Sequence, residues 1–169
     1  MKKTNFGDMP CPIARSLERV GEWWSILILR DAYYGLSRFD EFEKSLGIAP
    51  NMLTRRLNGL VEAGLLERRQ YQERPARYEY VLTEMGSDFR PVMLALMTWG
   101  NKHFAPEGLS IYLADERDGH QVDPVLTDRQ TGEVITREHH VVRAGPVATD
   151  RLRARLDRYA QMRVAGSLP

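Results

Sequence analysis

Along the first hundred residues, apolar positions recur at helical intervals and single glycines break the runs. Ile13, Leu17 and Val20 stand four and three apart behind Pro12, whose fixed φ suits a first helical turn. Pro12 to Val20 therefore reads as a short amphipathic helix stopped by Gly21. From Glu22 to Tyr34 the run is apolar almost all round, as in a central helix packed on several sides, and Gly35 stops it. Ser37 then reads as an N-cap with Asp40 in the first turn. Phe39, Phe42 and Leu46 supply the buried face of this third helix, and Gly47 turns the chain sharply.

A fourth helix begins near Pro50, with Leu53, Leu57, Leu60 and Val61 as its core stripe. At about 100° per residue, Asn51, Arg55, Asn58 and Glu62 point away from that stripe, while Thr54 and Arg56 lie on opposite flanks about 80° from its centre. Gly64 ends the helix. Two extended runs follow, Leu65 to Tyr71 and Arg77 to Leu82, the second placing Tyr78, Tyr80 and Leu82 on one face, with the tip QERPA between them. Thr83 caps a long helix from about Glu84 to His103, striped by Phe89, Val92, Leu96 and Trp99 and bent near Pro91.

After Ala105 the pattern changes. PEGLS reads as a linker, Ile111 to Ala114 and Val122 to Leu126 as strands, DRQTGE as a turn, and Glu133 to Val142 as a further extended run. Beyond the break AGPVATD, Arg151 to Arg163 forms a basic helical tail striped by Leu152, Leu156 and Tyr159. No internal repeat stands out. The expected class is mainly α with a β-hairpin wing, plus a small β-rich C-terminal appendage and terminal helix. The expected division is residues 1–105 as the main domain and 106–169 as the extension.

Composition changes this picture little. The 169 residues are 43% hydrophobic and 28% charged, an ordinary globular mixture that excludes disordered and disulfide-rich classes. The single cysteine, Cys11, cannot form an internal disulfide, and the run from Trp23 to Leu29 falls far short of the roughly 20 apolar residues a bilayer span needs. A cytoplasmic protein without membrane contact is expected. The net charge of +1 is uninformative, but Pro50 to Arg77 carries six arginines against three glutamates, a local excess of +3.

Three helices, a sharp glycine turn before the last of them, and a hairpin are the order of a winged helix-turn-helix. Such a module lays its last helix in the major groove of double-stranded DNA and leaves the hairpin to the backbone or a minor groove. Arg55, opposite the apolar stripe, is then the candidate for a guanine edge, and Asn51 and Asn58 for adenine or phosphate. Thr54 lies on one flank, Arg56 on the other is suited to a phosphate, and Arg74 and Arg77 are candidate wing contacts. Arg68 and Arg69 alternate faces and cannot both meet one DNA surface. The competing readings are a solvated surface, or a winged-helix module whose arginines meet an acidic protein partner without binding DNA.

The stretches CPIARSLERVGEWWSILILRDAYYG, RFDEFEKSLGIAPNMLTRRLNGLVEAGLLERR and RPARYEYVLTEMG, followed by LALMTWG, resemble the HxlR-type regulators among winged-helix transcription factors, in register from about Cys11 to Gly100. The resemblance implies a cytoplasmic homodimer that binds an operator, commonly as a repressor, and dimerises through roughly Pro10 to Val20 and Glu84 to His103. Cys11 matches a cysteine that some members use as a redox or electrophile sensor, although a lone cysteine is also often inert. Ala49 stands where the family often has serine, removing an N-cap worth about 1 kcal/mol. The segment from Asp115 to Val142 resembles a C-terminal knuckle that holds metal in some members. Here Asp118, Asp128 and Thr131 take the corresponding places, which implies a zinc-ribbon-like hairpin without its metal.

Trp23, Trp24, Trp99 and Phe104 are either core or the lining of a small-molecule effector pocket. His120, His139 and His140 with Asp115 and Glu116 have no spacing that demands a metal, so neither metal nor cofactor is expected. No glycine-rich phosphate loop, nucleophile elbow or HExxH occurs, and no enzymatic site is expected.

Overall fold

The structure, a computed structural model, describes residues 6–164. Its elements are α1 (Pro12–Val20), α2 (Trp23–Tyr33), α3 (Phe39–Leu46), α4 (Pro50–Glu62), β1 (Leu66–Gln72), β2 (Arg77–Leu82), α5 (Glu84–Ser87), α6 (Arg90–His103) and α7 (Asp150–Val164). The first four helices begin and end where proline and glycine predict. Gly47 adopts φ 60°, a left-handed turn open to a residue without Cβ, and its N–H closes α3 on the Glu43 carbonyl.

The core lies where α2, α3, α4 and the hairpin meet. Ile28, Leu29, Phe42, Leu53, Leu57 and Leu60 are all but fully buried, joined by Ile48, Leu65, Leu66 and Tyr80. Val61, expected in the α4 stripe, is only half-buried. Although α2 is apolar on nearly every side, its burial is one-sided. Trp23 is 75% exposed, whereas the carboxylate residue Asp31 is 2% exposed and held by Arg30 at 2.7 Å.

Ser37 does not cap α3 as expected. The N-cap is Arg38, and Glu41 reaches back from the first turn so that one carboxylate oxygen accepts the N–H of Ser37 at 3.0 Å and of Arg38 at 2.9 Å. The carbonyl of Ser37 is thereby left to Tyr80, whose N–H donates to it at 2.7 Å, and Arg38 forms a single bridge with Glu79. A short third strand thus pins the start of α3 to the wing. The wing itself is antiparallel, pairing Leu66 with Leu82 and Arg68 with Tyr80, and a bulge between Gln70 and Gln72 absorbs Tyr71 near the tip.

The long helix expected after the wing is broken in two. Thr83 caps α5 as predicted, its hydroxyl oxygen accepting the Gly86 N–H at 3.0 Å and donating to the Gly64 carbonyl at 2.6 Å. Pro91 then lacks the N–H that would have bonded the Ser87 carbonyl, so the helix stops and restarts as α6. The Tyr33 hydroxyl fills the gap, lying in hydrogen-bond contact with the Gly86 carbonyl and 3.0 Å from that of Ser87. None of the residues of α6 is buried, and Val92, Leu96 and Trp99 are exposed.

Compact contacts divide the chain into Met1–Pro124 and Val125–Pro169, so the expected boundary after residue 105 falls inside the first unit. The strands expected in the extension shrink to single bridges, Ala114 with Gln121 and Thr127 with Val134. These bridges close two turns of the same build, a repeat that the sequence reading missed. In each, an aspartate (Asp115 or Asp128) binds the N–H two residues on and its carbonyl accepts a glycine N–H, from Gly119 or Gly132. The signal was D-x-x-x-G at a thirteen-residue offset. In the second unit, the Arg163 guanidinium on α7 donates to the carbonyls of Glu138 (2.6 Å) and His140 (3.1 Å).

Candidate nucleic-acid interface

Burying Leu53, Leu57 and Leu60 turns the opposite side of α4 outward, and Asn51, Thr54, Arg55 and Asn58 are all exposed there. Pro50 opens the helix and Ala49 offers no side-chain cap, as the sequence predicts. The Thr54 hydroxyl donates to the Pro50 carbonyl at 2.9 Å, which leaves it only acceptor capacity toward a ligand.

Arg56 departs from its expected role. Its guanidinium donates to the Glu22 carboxylate at 2.9 Å and its side chain is only 16% exposed, so it is a strut between α4 and the start of α2, not a free phosphate contact. The α4 flank that carries it faces the N-terminal end of α2. Together with Leu17, Glu18 and Arg19, the Arg55, Asn58 and Glu62 side borders a groove between α1 and α4 of about 1090 Å³.

In the wing, Arg74 and Arg77 are exposed at and beside the tip. The strand arginines are engaged and face opposite ways, as the alternation predicts. Arg68 stacks 3.6 Å from the centroid of Tyr78, and Arg69 pairs with Glu67 at 2.9 Å, its guanidinium holding that carboxyl below the usual carboxylate range. Arg38 was missed because the charge count began at Pro50. Stacked 4.8 Å from the Tyr71 centroid, it shares a hollow with Arg77 along the side of the wing and adds a cation to that surface.

The anticipated aromatic pocket is not assembled as expected. A cavity of about 720 Å³ lies between α2, α6 and residues 105–113, walled by Ile26, Leu27, Met93, Leu94, Met97 and Leu113. Of the four aromatics only Phe104 lines it. Trp99 stands about 200° around α6 from Met97 and meets Phe104 edge-on at 4.9 Å, while Trp24 packs on the core and Trp23 lies a turn too early on α2.

Cys11 occupies the N-cap position of α1, half-buried, a free thiol without a capping hydrogen bond. Of the proposed histidine cluster, the structure gathers Asp115 and His120, with Asp118 in place of Glu116, to within 4.8 Å. Their ligand atoms are already engaged, Asp115 by Arg117 at 2.5 Å and Asp118 by His120 Nδ1 at 2.7 Å. His140 Nδ1 accepts the Thr136 N–H at 3.1 Å. Among the described residues no helix is long and apolar enough to cross a membrane.

Comparison with known proteins places the chain among helix-turn-helix regulators. The profile of HxlR-like helix-turn-helix proteins matches residues 19–108. The chain is 42% identical over 135 residues to Rv3095 of Mycobacterium tuberculosis, an uncharacterized HTH-type transcriptional regulator, covering 79% of this chain and 85% of that protein. It is 57% identical to PA1374 of Pseudomonas aeruginosa, a candidate transcription factor of solved structure, with a TM-score of 0.63 over 86% of this chain and 100% of that one. The redox regulator HypR in its oxidized form is 32% identical, with a TM-score of 0.51 over 55% of this chain and 97% of HypR.

Proposed function

The chain belongs to the HxlR-like helix-turn-helix family of DNA-binding transcriptional regulators, and from that premise we propose a cytoplasmic homodimeric repressor that responds to a small-molecule or redox signal. The observation that carries the reading is the exposed Asn51, Thr54, Arg55 and Asn58 side of α4, flanked by a wing that bears Arg74 and Arg77. A helix of this kind fits the major groove, and the fork of Arg55 matches the paired acceptors of a guanine edge. Repression works by occupancy, without turnover.

Dimerisation is supported by apolar surface that a single chain leaves uncovered. Ile13 and Leu17 on α1 and Val92, Leu96 and Trp99 on α6 are all exposed. A two-fold dimer then presents two α4 helices to half-sites about one turn of DNA apart. The redox arm rests on Cys11, a free thiol at the start of α1, and on the likeness to HypR.

Genomic footprinting joined to analytical ultracentrifugation tests the reading. The expected result is a dimer that protects pseudo-palindromic sites with a steep salt dependence, weakened by diamide in the wild type and not in Cys11→Ser. A monomer, or DNA affinity indifferent to sequence and salt, overturns the regulator. Equal behaviour of wild type and Cys11→Ser under oxidation removes the redox arm alone.

A further inference from the structure

We propose that the cavity between α2, α6 and residues 105–113 is a ligand site for an apolar organic anion, a flat or branched hydrocarbon body carrying one carboxylate or sulfonate. This deepens the effector reading above and rests on it only in calling the ligand an effector.

Size and wall chemistry argue for a small molecule. At about 720 Å³ the cavity lies within the range that encloses drug-sized ligands, and Ile26, Leu27, Met93, Met97 and Leu113 make its walls predominantly apolar. Two of these are methionines, whose unbranched thioether chains adapt to different shapes. The roof, residues 105–113, is tied down by Asn101, whose side-chain amide donates to the Ile111 carbonyl at 2.9 Å. The cavity is therefore bounded on its third side by chain, and is more than the bare flank of a helix.

Charge argues for an anion. The ionic groups at the lining are Arg30, Arg90 and Glu107. Arg30 is already answered by the buried Asp31 carboxylate at 2.7 Å. Arg90, the first residue of α6, and Glu107, past its last turn, have no ion-pair partner among the described residues, and the length of α6, about 20 Å, runs between them, so the Arg90 end is the one suited to an anion. An unpaired guanidinium thus stands at the edge of an apolar cavity. A second copy of the chain is not needed to cover this face. Met93, Met97, Gly100 and Phe104 line the cavity, while Val92, Trp99 and His103 lie about 110° around the helix from them, with Leu96, which also lines the cavity, between the two groups. The exposed apolar stripe and the cavity wall are adjoining sides of α6 that share only Leu96 among the residues named for the dimer.

The probes are 8-anilinonaphthalene-1-sulfonate and its uncharged relative N-phenyl-1-naphthylamine, titrated by fluorescence into the full chain. The expected result is saturable binding of the sulfonate, about ten-fold tighter than the neutral probe. Arg90→Gln should erase that preference and leave the neutral probe unchanged, whereas Met97→Trp should weaken both. Leu113→Trp fills the same space from the roof and serves if the helix variant melts early. Equal affinity for the two probes, or binding of both left intact by the two tryptophan variants, overturns the proposal. Gel shifts with operator DNA in probe-free buffer run in parallel. Retained DNA binding with no probe binding sinks the ligand site alone, and lost DNA binding with intact probe binding sinks the regulator alone.

Discussion

Arg56 on α4 donates to Glu22 at the start of α2 across 2.9 Å, bridging 34 residues of sequence and withdrawing one arginine of the RR pair from the exposed side of α4. The Arg56 side chain is mostly buried and its Nε has no partner, so the guanidinium depends on Glu22 for compensation. Glu22→Gln should lower stability by about 1 kcal/mol, since the carboxylate side is largely exposed and screened. Released toward solvent, Arg56 should steepen the salt slope of DNA binding by about one. Urea titration and gel shifts over a salt series measure the two effects. An unchanged slope would mean that Arg56 stays seated without its partner.

Arg55 and Arg74 are both exposed but stand on different elements, and their replacement should read differently. Arg55→Ala is expected to cost about 1–3 kcal/mol on the preferred operator and to relax one base position. Arg74→Ala should weaken all sequences alike and reduce the salt slope by about one. Binding to a randomised operator library separates the two, and identical sequence profiles for both variants would remove the division of roles.

The Tyr33 hydroxyl lies 3.0 Å from the Ser87 carbonyl, which Pro91 leaves without its helical donor, and also contacts the Gly86 carbonyl. Partial burial raises the phenol above its ordinary range, with Arg90 opposing, so it remains a neutral donor. Tyr33→Phe should cost about 1 kcal/mol. Pro91→Ala restores an N–H within reach of the Ser87 carbonyl, and on that background the loss should shrink. Urea midpoints of the four proteins close the cycle, and strict additivity would show that the hydroxyl and Pro91 are unrelated.

Gly86 lies so close to the start of β1 that a Cβ would fall 2.1 Å from the Leu65 carbonyl oxygen. That neighbour is backbone and cannot rotate away. Gly86→Ala should destabilise by about 1–3 kcal/mol through overpacking, visible as a lower thermal midpoint, whereas Gly100→Ala, with open space around it, should not.

Glu41 titrates below the usual carboxylate range because the N–H groups of Ser37 and Arg38 bind its ionised form. A carboxylate depressed on folding adds stability above its unfolded pKa and loses it as pH falls through the folded value. Glu41→Gln should therefore melt lower than wild type at neutral pH, and the gap should close on acidification through the carboxylate range. A gap that persists in acid would assign the effect to shape rather than charge.

Local periodicity by itself determined the first four helices, the hairpin, the buried stripe Leu53, Leu57 and Leu60, the missing cap at Ala49 and the opposed faces of Arg68 and Arg69. Each follows from residues within a turn or a strand of one another, where the 3.6 and 2.0 periods of the backbone decide direction. Helical angle placed Arg56 on a flank, but nothing local says that Glu22 lies against that flank. The same holds for Asp31, buried in an apolar-looking helix, and for Arg38, drawn to the wing by the Ser37 and Tyr80 bond. The aromatics mark the limit most plainly. Trp23, Trp24 and Trp99 are large and apolar, yet none of them lines the cavity, because which face of α6 meets α2 is settled by how the elements cross and where Pro91 breaks the helix.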